Sequence, residues 1–417
     1  MMQISKLGKG PTRARSRSTG PIRALFLLYG NASPSDRDRF HFFSKYFSGD
    51  IVKPAGRTKY SNGQQAPTDP VPVAGGVAGH FRIFEFASPN YPPLLKGPFE
   101  AASYVRIVRG LAGSGAKYDV VVAFGLFKTA IAGWVISIIS GSKFIIELPI
   151  VLRKIILYRH PTRSLYTKAK AALLPVFAAL LLRRADHIKL IFPGQLKENG
   201  RGLEKIATSA FPDFVAVHEI SRSCQEDSLL LIGTPLYLKG ADIAIKAFQC
   251  LSSRWSGVRL VIIGSSAGFP YLQTLLSARD HVEFLDFVPH EVAIDYIQGS
   301  KLVLIPSRTD AMPRVAVEAM AAGKAIIASR VDGIPHYLRH MENCLLFEPE
   351  NHKDLASKME MLLQDPALRQ EIGAQARRDA LLCFDEERYA EQYHRMLRKT
   401  LGMAEGDIQA GDVLGSG

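Results

Sequence analysis

The segment LVLIPSRTDAMPRVAVEAMAAGKAIIASRVDGIPH, residues 302–336, gives the clearest structural signal in this chain of 417 residues. It opens with a short apolar run, passes through a polar loop, and continues as a helical pattern at 314–322. A second apolar run follows at 325–328. Parallel strands need a crossover connection that is usually a helix, so two apolar runs joined in this way indicate a βαβ unit.

The same alternation extends to both sides of this segment. In the second half of the chain it predicts strands at residues 229–232, 259–263, 282–285, 302–305, 325–328 and 345–347. Helical patterns lie between them at residues 241–254, 271–277, 290–298, 314–322 and 353–363. The first half predicts strands at residues 24–29, 120–124 and 143–148, with helices at 100–111 and 129–139. Two such series indicate an α/β protein with two Rossmann-like domains, each built on a parallel sheet covered on both faces.

Breaks in the alternation predict the domain boundaries. We expect a first domain at residues 21–218 and a second at 219–384, because Pro212 and polar residues interrupt the pattern near 211–223. Residues 1–20 and 403–417 lack hydrophobic periodicity and are predicted to be disordered ends. The Pro- and Gly-rich stretch 54–79 predicts one long loop without regular structure.

Composition is that of a globular protein and excludes several classes. Hydrophobic residues make up 47% and charged residues 22% of the chain, which argues against wholesale disorder. No apolar run reaches the ~18 residues of a membrane-spanning helix, and no apolar core follows the basic N-terminus as in a secretory signal. The four cysteines are scattered without metal-ligand spacing, which predicts a reducing compartment and no structural zinc. We therefore expect a cytoplasmic protein.

The charge is divided unevenly between the two halves. Residues 1–220 contain 31 Lys and Arg against 13 Asp and Glu, a net of +18, whereas the remaining residues have a net of −5. A basic half joined to a mildly acidic half indicates different partners for the two. The candidates for the basic half are nucleic acid, an anionic membrane surface or an acidic substrate, beside a solvated surface without a partner.

Two carboxylates in the segment 302–336 suggest a ligand site. Asp310 lies just past a strand and Glu318 lies inside the following helix, so both belong to the strand ends where open parallel sheets bind ligands. Between them, Ala311, Met312 and Arg314 bring N–H groups to a helix N-terminus, which is a ready anion site. Amides for phosphates and carboxylates for hydroxyls suit a sugar diphosphate. A capped surface helix without a ligand explains the same residues equally well.

The segment also resembles the signature of glycosyltransferase family 4, whose members have the two-domain GT-B architecture. The family pattern is an acidic residue, seven intervening residues and Glu, followed by Ala-Met-Ala-x-Gly, an apolar strand and Gly-Ile-Pro. Here Asp310 and Glu318 have that spacing, and the two later motifs stand at 319–323 and 333–335. The segment 233–248, GTPLYLKGADIAIKAF, resembles the phosphate-binding loop of the family. The resemblance is strong over 228–350 and diffuse over 24–217.

This resemblance implies a retaining enzyme that uses a UDP- or GDP-sugar and needs no cofactor or metal. Glu318 would bind the nucleotide ribose, Asp310 the transferred sugar, and Lys239 would neutralise the charge that builds up on the departing diphosphate. The remaining donor-binding residues would be Thr234, Gly240, Gly264, Ser265, Val288, Arg308, Met312, Pro313, Arg314 and Val315. The last helix, at 385–402, would cross back onto the first domain.

Three departures from the family pattern limit this transfer of roles. Asp310 stands where Glu is usual, and Thr234 stands where an Arg is common, so that Arg308 or Arg314 would have to supply the cation. Many members have a His after a strand of the acceptor domain, but this chain has Glu147 there. Glu147 is open to an acid/base role or a capping role, and Gly30 is the other residue assigned to the acceptor side.

The basic half contains a candidate membrane-binding segment. An apolar run at 171–182 is bracketed by cations and follows a stretch in which basic and apolar residues alternate. Such a segment can lie among the headgroups of an anionic bilayer, although a core helix with charged ends would have the same pattern. The cations assigned to this surface are Arg153, Lys154, Lys168, Lys170, Arg183 and Arg184.

Together these features predict a cytoplasmic hexosyltransferase, peripheral at the inner membrane face. It would move a sugar to a saccharide or lipid-linked saccharide, as in bacterial cell-surface polysaccharide or lipopolysaccharide synthesis. A nucleotide-sugar epimerase or a sugar phosphorylase with the same fold is the nearest alternative. A non-enzymatic protein that binds nucleic acid or membrane is another, but the first half has no nucleic-acid motif and we expect no nucleic-acid partner.

Overall fold

The computed structural model describes most of the chain. The described residues are 21–29, 34–54, 71–86, 93–113, 115–158, 165–197, 203–215, 228–251, 254–255, 257–265, 270–276 and 281–403. The two predicted disordered ends, except residue 403, lie outside them, as does most of the predicted join between the domains.

The first domain is built on an eight-stranded sheet in the order β3-β4-β2-β1-β5-β6-β7-β8. Its strands are β1 Arg23–Leu27, β2 Ser48–Pro54, β3 Val71–Ala78, β4 Phe81–Phe86, β5 Val120–Phe124, β6 Lys143–Leu148, β7 His187–Leu190 and β8 Ala207–Ala210. Every neighbouring pair is parallel except β3 and β4. The helices are α1 Pro34–Phe43, α2 Pro93–Gly113, α3 Lys128–Ser140, α4 Leu152–Tyr158 and α5 Leu165–Leu182.

The expectation of one long loop at 54–79 is wrong at its C-terminal end. Residues Val71–Ala78 form β3, which pairs antiparallel with β4 at the edge of the sheet. The register shifts between Pro72 and Val77, and only an edge strand tolerates a proline and a bulge of this kind. The Pro and Gly content therefore indicated an irregular edge strand rather than a complete absence of structure.

The second domain is built on a six-stranded parallel sheet in the order β11-β10-β9-β12-β13-β14. The strands are β9 Ser228–Ile232, β10 Arg259–Ile263, β11 Val282–Leu285, β12 Leu302–Ile305, β13 Ala325–Ser329 and β14 Leu345–Phe347. Each agrees with its predicted strand to within one residue. The helices are α6 Ala241–Gln249, α7 Pro270–Thr274, α8 His290–Gly299, α9 Arg314–Ala321, α10 Ile334–Tyr337, α11 His352–Gln364 and α12 Pro366–Cys383.

Both faces of the central strands of this sheet are buried, which is why those strands are almost entirely apolar. In β9, Leu229 and Leu231 pack into one core and Leu230 packs into the core on the opposite face. Successive side chains of a strand point to opposite faces, so a strand covered on both sides needs apolar residues at every position. The continuous apolar runs of the sequence are a direct consequence of this two-sided burial.

The last helix, α13 Glu386–Leu401, packs on the first domain rather than the second. Its residues Tyr389, Tyr393 and Leu397 belong to the same core as Phe43 and Phe47. Asp385 caps its N-terminus by accepting a hydrogen bond from the N–H of Arg388 at 2.9 Å. The chain therefore crosses between the domains twice, and the crossings touch where Val215 N–H donates to the Phe384 carbonyl at 3.4 Å.

Candidate active site

The loops that follow β9, β10, β12 and β13 meet beyond the carboxyl ends of the strands of the second sheet, which we call the ligand edge. Two glycines allow this approach. A Cβ at Gly264 would lie 2.1 Å from the Gly233 carbonyl oxygen, and a Cβ at Gly240 would lie 1.9 Å from that of Pro306. Gly240 also has φ +73°, a conformation that favours glycine. Gly240 lets the loop that contains Lys239 pack against the end of β12, just before the Asp310 loop, and Gly264 lets the end of β10 pack against the end of β9.

Lys239 and Asp310 form an ion pair in this cluster of loops. The Lys239 Nζ lies 2.5 Å from Asp310 Oδ2, and both side chains are largely buried. The Ser307 hydroxyl lies 3.5 Å from the same carboxylate oxygen. The structure thus brings together the predicted diphosphate cation and the predicted sugar-binding carboxylate.

Glu318 lies in α9, close to the same edge of the sheet. Its side chain is 5% exposed, and its Oε1 accepts a hydrogen bond from Arg314 Nε at 3.0 Å. The Nε2 of His290, at the start of α8, lies 2.9 Å from the same oxygen. A buried carboxylate held by a guanidinium and an imidazole can accept hydrogen bonds from ligand hydroxyls without first having to be desolvated.

The N-terminus of α9 faces the same loops. The residue before the helix is Pro313, whose side chain makes no capping hydrogen bond. The first N–H groups of a helix lack partners within the helix, and the aligned peptide dipoles favour an anion there. This end of α9 therefore provides positive potential next to Asp310 and Lys239.

Arg308 is turned away from the ligand edge. Its guanidinium forms two hydrogen bonds with Asp242, at 2.9 and 2.8 Å, and lies 3.8 Å from the centre of the Tyr237 ring. The side chain is 4% exposed. Because Arg308 is bound to Asp242, it is not available to replace the cation that many family members have at the position of Thr234. Thr234 itself is exposed. The cations near the site are Arg314 and Lys239.

The other predicted donor residues follow the same strand ends. Gly264 and Ser265 follow β10, Val288 lies between β11 and α8, and Met312, Pro313 and Val315 surround the start of α9. Parallel strands bring these loops to the same ends of the strands, so residues that are far apart in the sequence share a single face of the domain.

Glu147 does not face the cleft between the domains. It is 1% exposed, pairs with Lys189 Nζ at 2.9 Å and accepts a hydrogen bond from the Tyr393 hydroxyl at 3.2 Å. Burial raises the pKa of Glu147, because desolvation outweighs the attraction of Lys189. Lys189 also contacts Asp213, so the group ties the linker between the domains and α13 to the first sheet. This placement argues against an acid/base role on the acceptor side, and Gly30 lies outside the described residues.

The cations assigned to a membrane surface fall into two groups. Lys154 contacts the second domain, because its Nζ lies 2.5 Å from Asp332 Oδ1. This contact argues against Lys154 as a membrane-binding cation. The exposed cations are Arg153, Lys168, Lys170, Arg183 and Arg184.

An apolar face is exposed between these cations. Leu173, Val176, Phe177 and Leu180 of α5 are each more than half exposed, at the spacing that places side chains on one side of a helix. In α3, which shares an apolar core with α5, Ile138 and Ile139 are also exposed. We call these six side chains the α3/α5 face.

The candidate site opens toward the first domain across a partly closed cleft. Val151 and Phe192 of the first domain pack with Ala311 and Met312 of the second, and the Tyr337 hydroxyl donates to the Ile191 carbonyl. An acceptor held by the first domain would therefore lie next to the Asp310 loop.

Two residues near the site were missed from the sequence. His290 contacts Glu318, and the only sequence signal was its position directly after Val288 and Pro289. Asp332 contacts the Asp310 loop, and its signal was a carboxylate just before the Gly-Ile-Pro motif. Neither contact could be deduced from spacing, because each joins two elements that are separated in the sequence.

Within the described part of the chain, no group of three or more His, Cys, Asp or Glu residues could hold a metal ion. Among the same residues, no helix has the length and hydropathy needed to cross a membrane.

Comparison with known proteins identifies the second domain. Residues 220–379 match the family model described as Glycosyl transferases group 1. An uncharacterized glycosyltransferase from Haemophilus influenzae is 28% identical over 155 residues, which are 37% of this chain and 44% of that protein. The chain thus spans less than half the length of this relative. The second half of the chain contains a group 1 glycosyltransferase domain.

The whole fold is similar to solved structures. Sucrose-phosphate synthase from Thermosynechococcus elongatus has a TM-score of 0.72 at 16% identity, covering 91% of this chain and 99% of that chain. Anabaena HepE in complex with UDP and glucose has a TM-score of 0.66 at 18% identity, covering 90% and 99%. These likenesses concern the fold alone, and they confirm the predicted GT-B architecture of two Rossmann-like domains.

Proposed function

We propose that this chain is a glycosyltransferase that moves a sugar from a nucleoside diphosphate to an acceptor. The observation that carries the proposal is the Lys239–Asp310 pair, which lies beside an uncapped helix N-terminus and the buried Glu318. A cation and N–H groups suit a diphosphate, and two carboxylates suit the hydroxyls of a ribose and a sugar. The group 1 glycosyltransferase domain at 220–379 supports the same reading.

The mechanism follows from the charges of these residues. In the free protein Lys239 is paired with Asp310, so a bound diphosphate would take over Lys239 and release Asp310 to accept a hydrogen bond from the sugar. As the glycosidic bond breaks, negative charge grows on the departing diphosphate. Lys239 and the N-terminus of α9 would stabilise that charge more than the ground state, which is the requirement for catalysis. Glu318 would hold the ribose through its hydroxyls.

We propose a UDP- or GDP-sugar as donor and retention of configuration at the anomeric carbon. HepE is a fold relative that has been solved in complex with UDP and glucose, so UDP-glucose is the first donor to test. We also propose that transfer needs no metal ion, with Lys239 and the N-terminus of α9 supplying the positive charge for the diphosphate.

The acceptor is proposed to be a saccharide or a lipid-linked saccharide at an anionic membrane. Support comes from the α3/α5 face, which is bordered by Lys168, Lys170, Arg183 and Arg184. Exposed apolar side chains beside cations fit an interface of anionic headgroups and acyl chains, and the +18 net charge of residues 1–220 adds long-range attraction. The corresponding setting is the cytoplasmic face of a bacterial membrane, in the synthesis of a surface polysaccharide.

The test is a panel of UDP- and GDP-sugars screened for thermal stabilisation of the full chain, followed by turnover of the donor that stabilises most. Release of free nucleoside diphosphate that depends on an added acceptor supports transfer. Interconversion of the sugar without release would indicate an epimerase, and dependence on inorganic phosphate would indicate a phosphorylase. The anomeric coupling constant of the product, measured by NMR, decides between retention and inversion.

A further inference from the structure

We propose that Asp332 and Lys154 form a latch between the two domains that positions Asp310 when the cleft is closed. The proposal rests on the proposed function of Asp310 in donor binding. Asp332 lies in the loop between β13 and α10, and Lys154 lies in α4 of the first domain. Neither would touch the donor, so both are positioning residues.

Asp332 has an unusual backbone and a buried side chain. Its φ is +43°, in the left-handed region that among residues with side chains is populated chiefly by Asn and Asp. The side chain is 0% exposed. A carboxylate in such a place is unfavourable unless its oxygens are hydrogen-bonded or paired with a cation.

One carboxylate oxygen of Asp332 holds the loop that contains Asp310. Its Oδ2 accepts hydrogen bonds from the Asp310 N–H, at 3.1 Å, and from the Thr309 hydroxyl. The next residue, Gly333, donates its N–H to the Asp310 carbonyl at 3.2 Å. The backbone of Asp310 is therefore fixed on both sides by the 332–333 loop, while its carboxylate pairs with Lys239.

The other oxygen reaches across the cleft. Asp332 Oδ1 lies 2.5 Å from Lys154 Nζ, and this cation belongs to the first domain, 178 positions earlier in the chain. The contact lies in the same cleft as the apolar packing between Phe192 and Ala311. A continuous series of contacts thus joins the first domain to the donor site of the second. It runs through Lys154, Asp332, Asp310 and Lys239.

Opening of the cleft would separate Lys154 from Asp332 and replace their ion pair by contacts with water. The ion pair therefore favours the closed arrangement. In the closed arrangement Asp332 is neutralised and can hold Asp310 in place. Closure over an acceptor and correct placement of the sugar-binding carboxylate are coupled in this way.

The test uses full-length Lys154→Met, with Lys154→Arg as the conservative variant and Lys117→Met as the matched control. Lys117 is an exposed lysine of the first domain that lies before β5, at the sheet edge opposite the cleft. Small-angle scattering should show a larger radius of gyration for Lys154→Met than for wild type. The values for Lys154→Arg and Lys117→Met should equal that of wild type.

Activity supplies a second readout. Lys154→Met should lower kcat for the best donor by about tenfold with little change in the Kd of free nucleoside diphosphate, since a tenfold effect corresponds to the loss of one modest charged contact. Asp332→Asn retains an acceptor and the left-handed backbone but removes the charge. If the pair acts as one unit, the double variant should be no slower than Asp332→Asn alone.

Unchanged scattering of Lys154→Met, or additive effects in the double variant, would overturn the latch. A larger radius of gyration with wild-type kcat would overturn the coupling to Asp310. If wild-type protein turns over no donor at all, the proposed function has failed, while scattering and a thermal-unfolding double-mutant cycle on Lys154 and Asp332 still decide whether the latch exists.

Discussion

Lys239 and Asp310 are 71 positions apart in the chain, yet their side chains meet at 2.5 Å. The pair forms because Gly240 lets the first loop of the domain lie directly against Pro306 at the end of β12. A mobile diphosphate carries more negative charge than Asp310, so it can take the cation from the carboxylate. Until a donor binds, each of these two charged groups, which we propose to bind the donor, is therefore neutralised by the other.

Lys239→Ala should depress kcat far more than it raises KM for the donor. Its ammonium group acts mainly on charge that develops as the diphosphate departs, and loss of one such group reduces kcat on the order of 100-fold. The matched control is Lys246→Ala, an exposed lysine on α6. A change confined to KM would mean that Lys239 binds the diphosphate equally in the ground state and the transition state.

Glu318→Gln should weaken binding of the nucleoside diphosphate by about 1–3 kcal/mol, the usual range for hydrogen bonds to a charged group. The measurement is isothermal titration of UDP and GDP into wild type and variant. Glu371→Gln, at an exposed position of α12, is the control for loss of one negative charge. Equal affinity in a folded Glu318→Gln protein would remove this residue from the ribose site.

The α3/α5 face should bind liposomes that contain anionic lipid. Each cation near such a surface contributes about 1 kcal/mol, and the attraction decays over a Debye length near ~8 Å at physiological salt. Binding should be strong at low salt and weakened at high salt. The double variant Arg183→Glu and Arg184→Glu should lose most of it, and Phe177→Ser should remove the part that resists salt.

The control for liposome binding reverses two exposed cations of the second domain, Lys353 and Arg378, to Glu. This double variant has the same net charge as the test variant but leaves the α3/α5 face intact. If both double variants lose binding equally, the attraction is a property of total charge and not of this face. If wild type ignores acidic liposomes even at low salt, a soluble acceptor is the better account of the basic half.

Two buried histidines should make the fold sensitive to acid. Burial lowers the pKa of both His187 and His394 from 6.5 to about 4, and the nearby Lys399 and Arg398 add to the effect. Between those pH values the unfolded chain takes up protons that the native state does not, so stability should fall as the pH drops from 6.5 toward 4. The slope contributed by each histidine is at most about 1.4 kcal/mol per pH unit.

Urea unfolding at pH 7.5 and pH 5 measures this effect. His187→Gln should reduce the loss of stability between the two pH values, whereas His281→Gln, at an exposed position, should leave it unchanged. An identical pH dependence in His187→Gln and wild type would show that His187 has the same pKa in the native and unfolded states, and would contradict the prediction.

The second domain could be predicted almost completely from the sequence, and the first only in part. The central strands of the second domain are covered on both faces, so they are nearly continuous apolar runs with a clear start and end. In the first domain β2 contains Asp50, which is buried and bonded to Arg82. The strand β7 contains two buried polar residues, His187, which bonds Ser209, and Lys189, which pairs with Glu147. A prediction based on hydrophobicity misses such a strand, because the buried polar residues interrupt its apolar pattern.

The site was predictable to the extent that it follows strand ends. Asp310 follows β12 and Glu318 lies in the helix after it, so topology places both near the strand ends, whereas Lys239 was assigned from the resemblance of residues 233–248 to the family's phosphate-binding loop. The contacts of Lys154 with Asp332, and of His290 with Glu318, depend on how two loops or two domains meet. Nothing in the local sequence around Lys154 distinguishes a cation that faces the cleft from Arg153, its exposed neighbour.

The most direct test of a donor site built on Asp310 and Lys239 is release of nucleoside diphosphate from a UDP- or GDP-sugar by wild type and Asp310→Asn. We expect wild type to release UDP or GDP from at least one donor. Asp310→Asn should bind the free nucleotide at least as tightly as wild type, because Lys239 is no longer paired with a carboxylate, while its release rate falls on the order of 100-fold because the sugar contact is lost. No release from any donor by folded wild-type protein, or equal rates in the two proteins, would contradict the account.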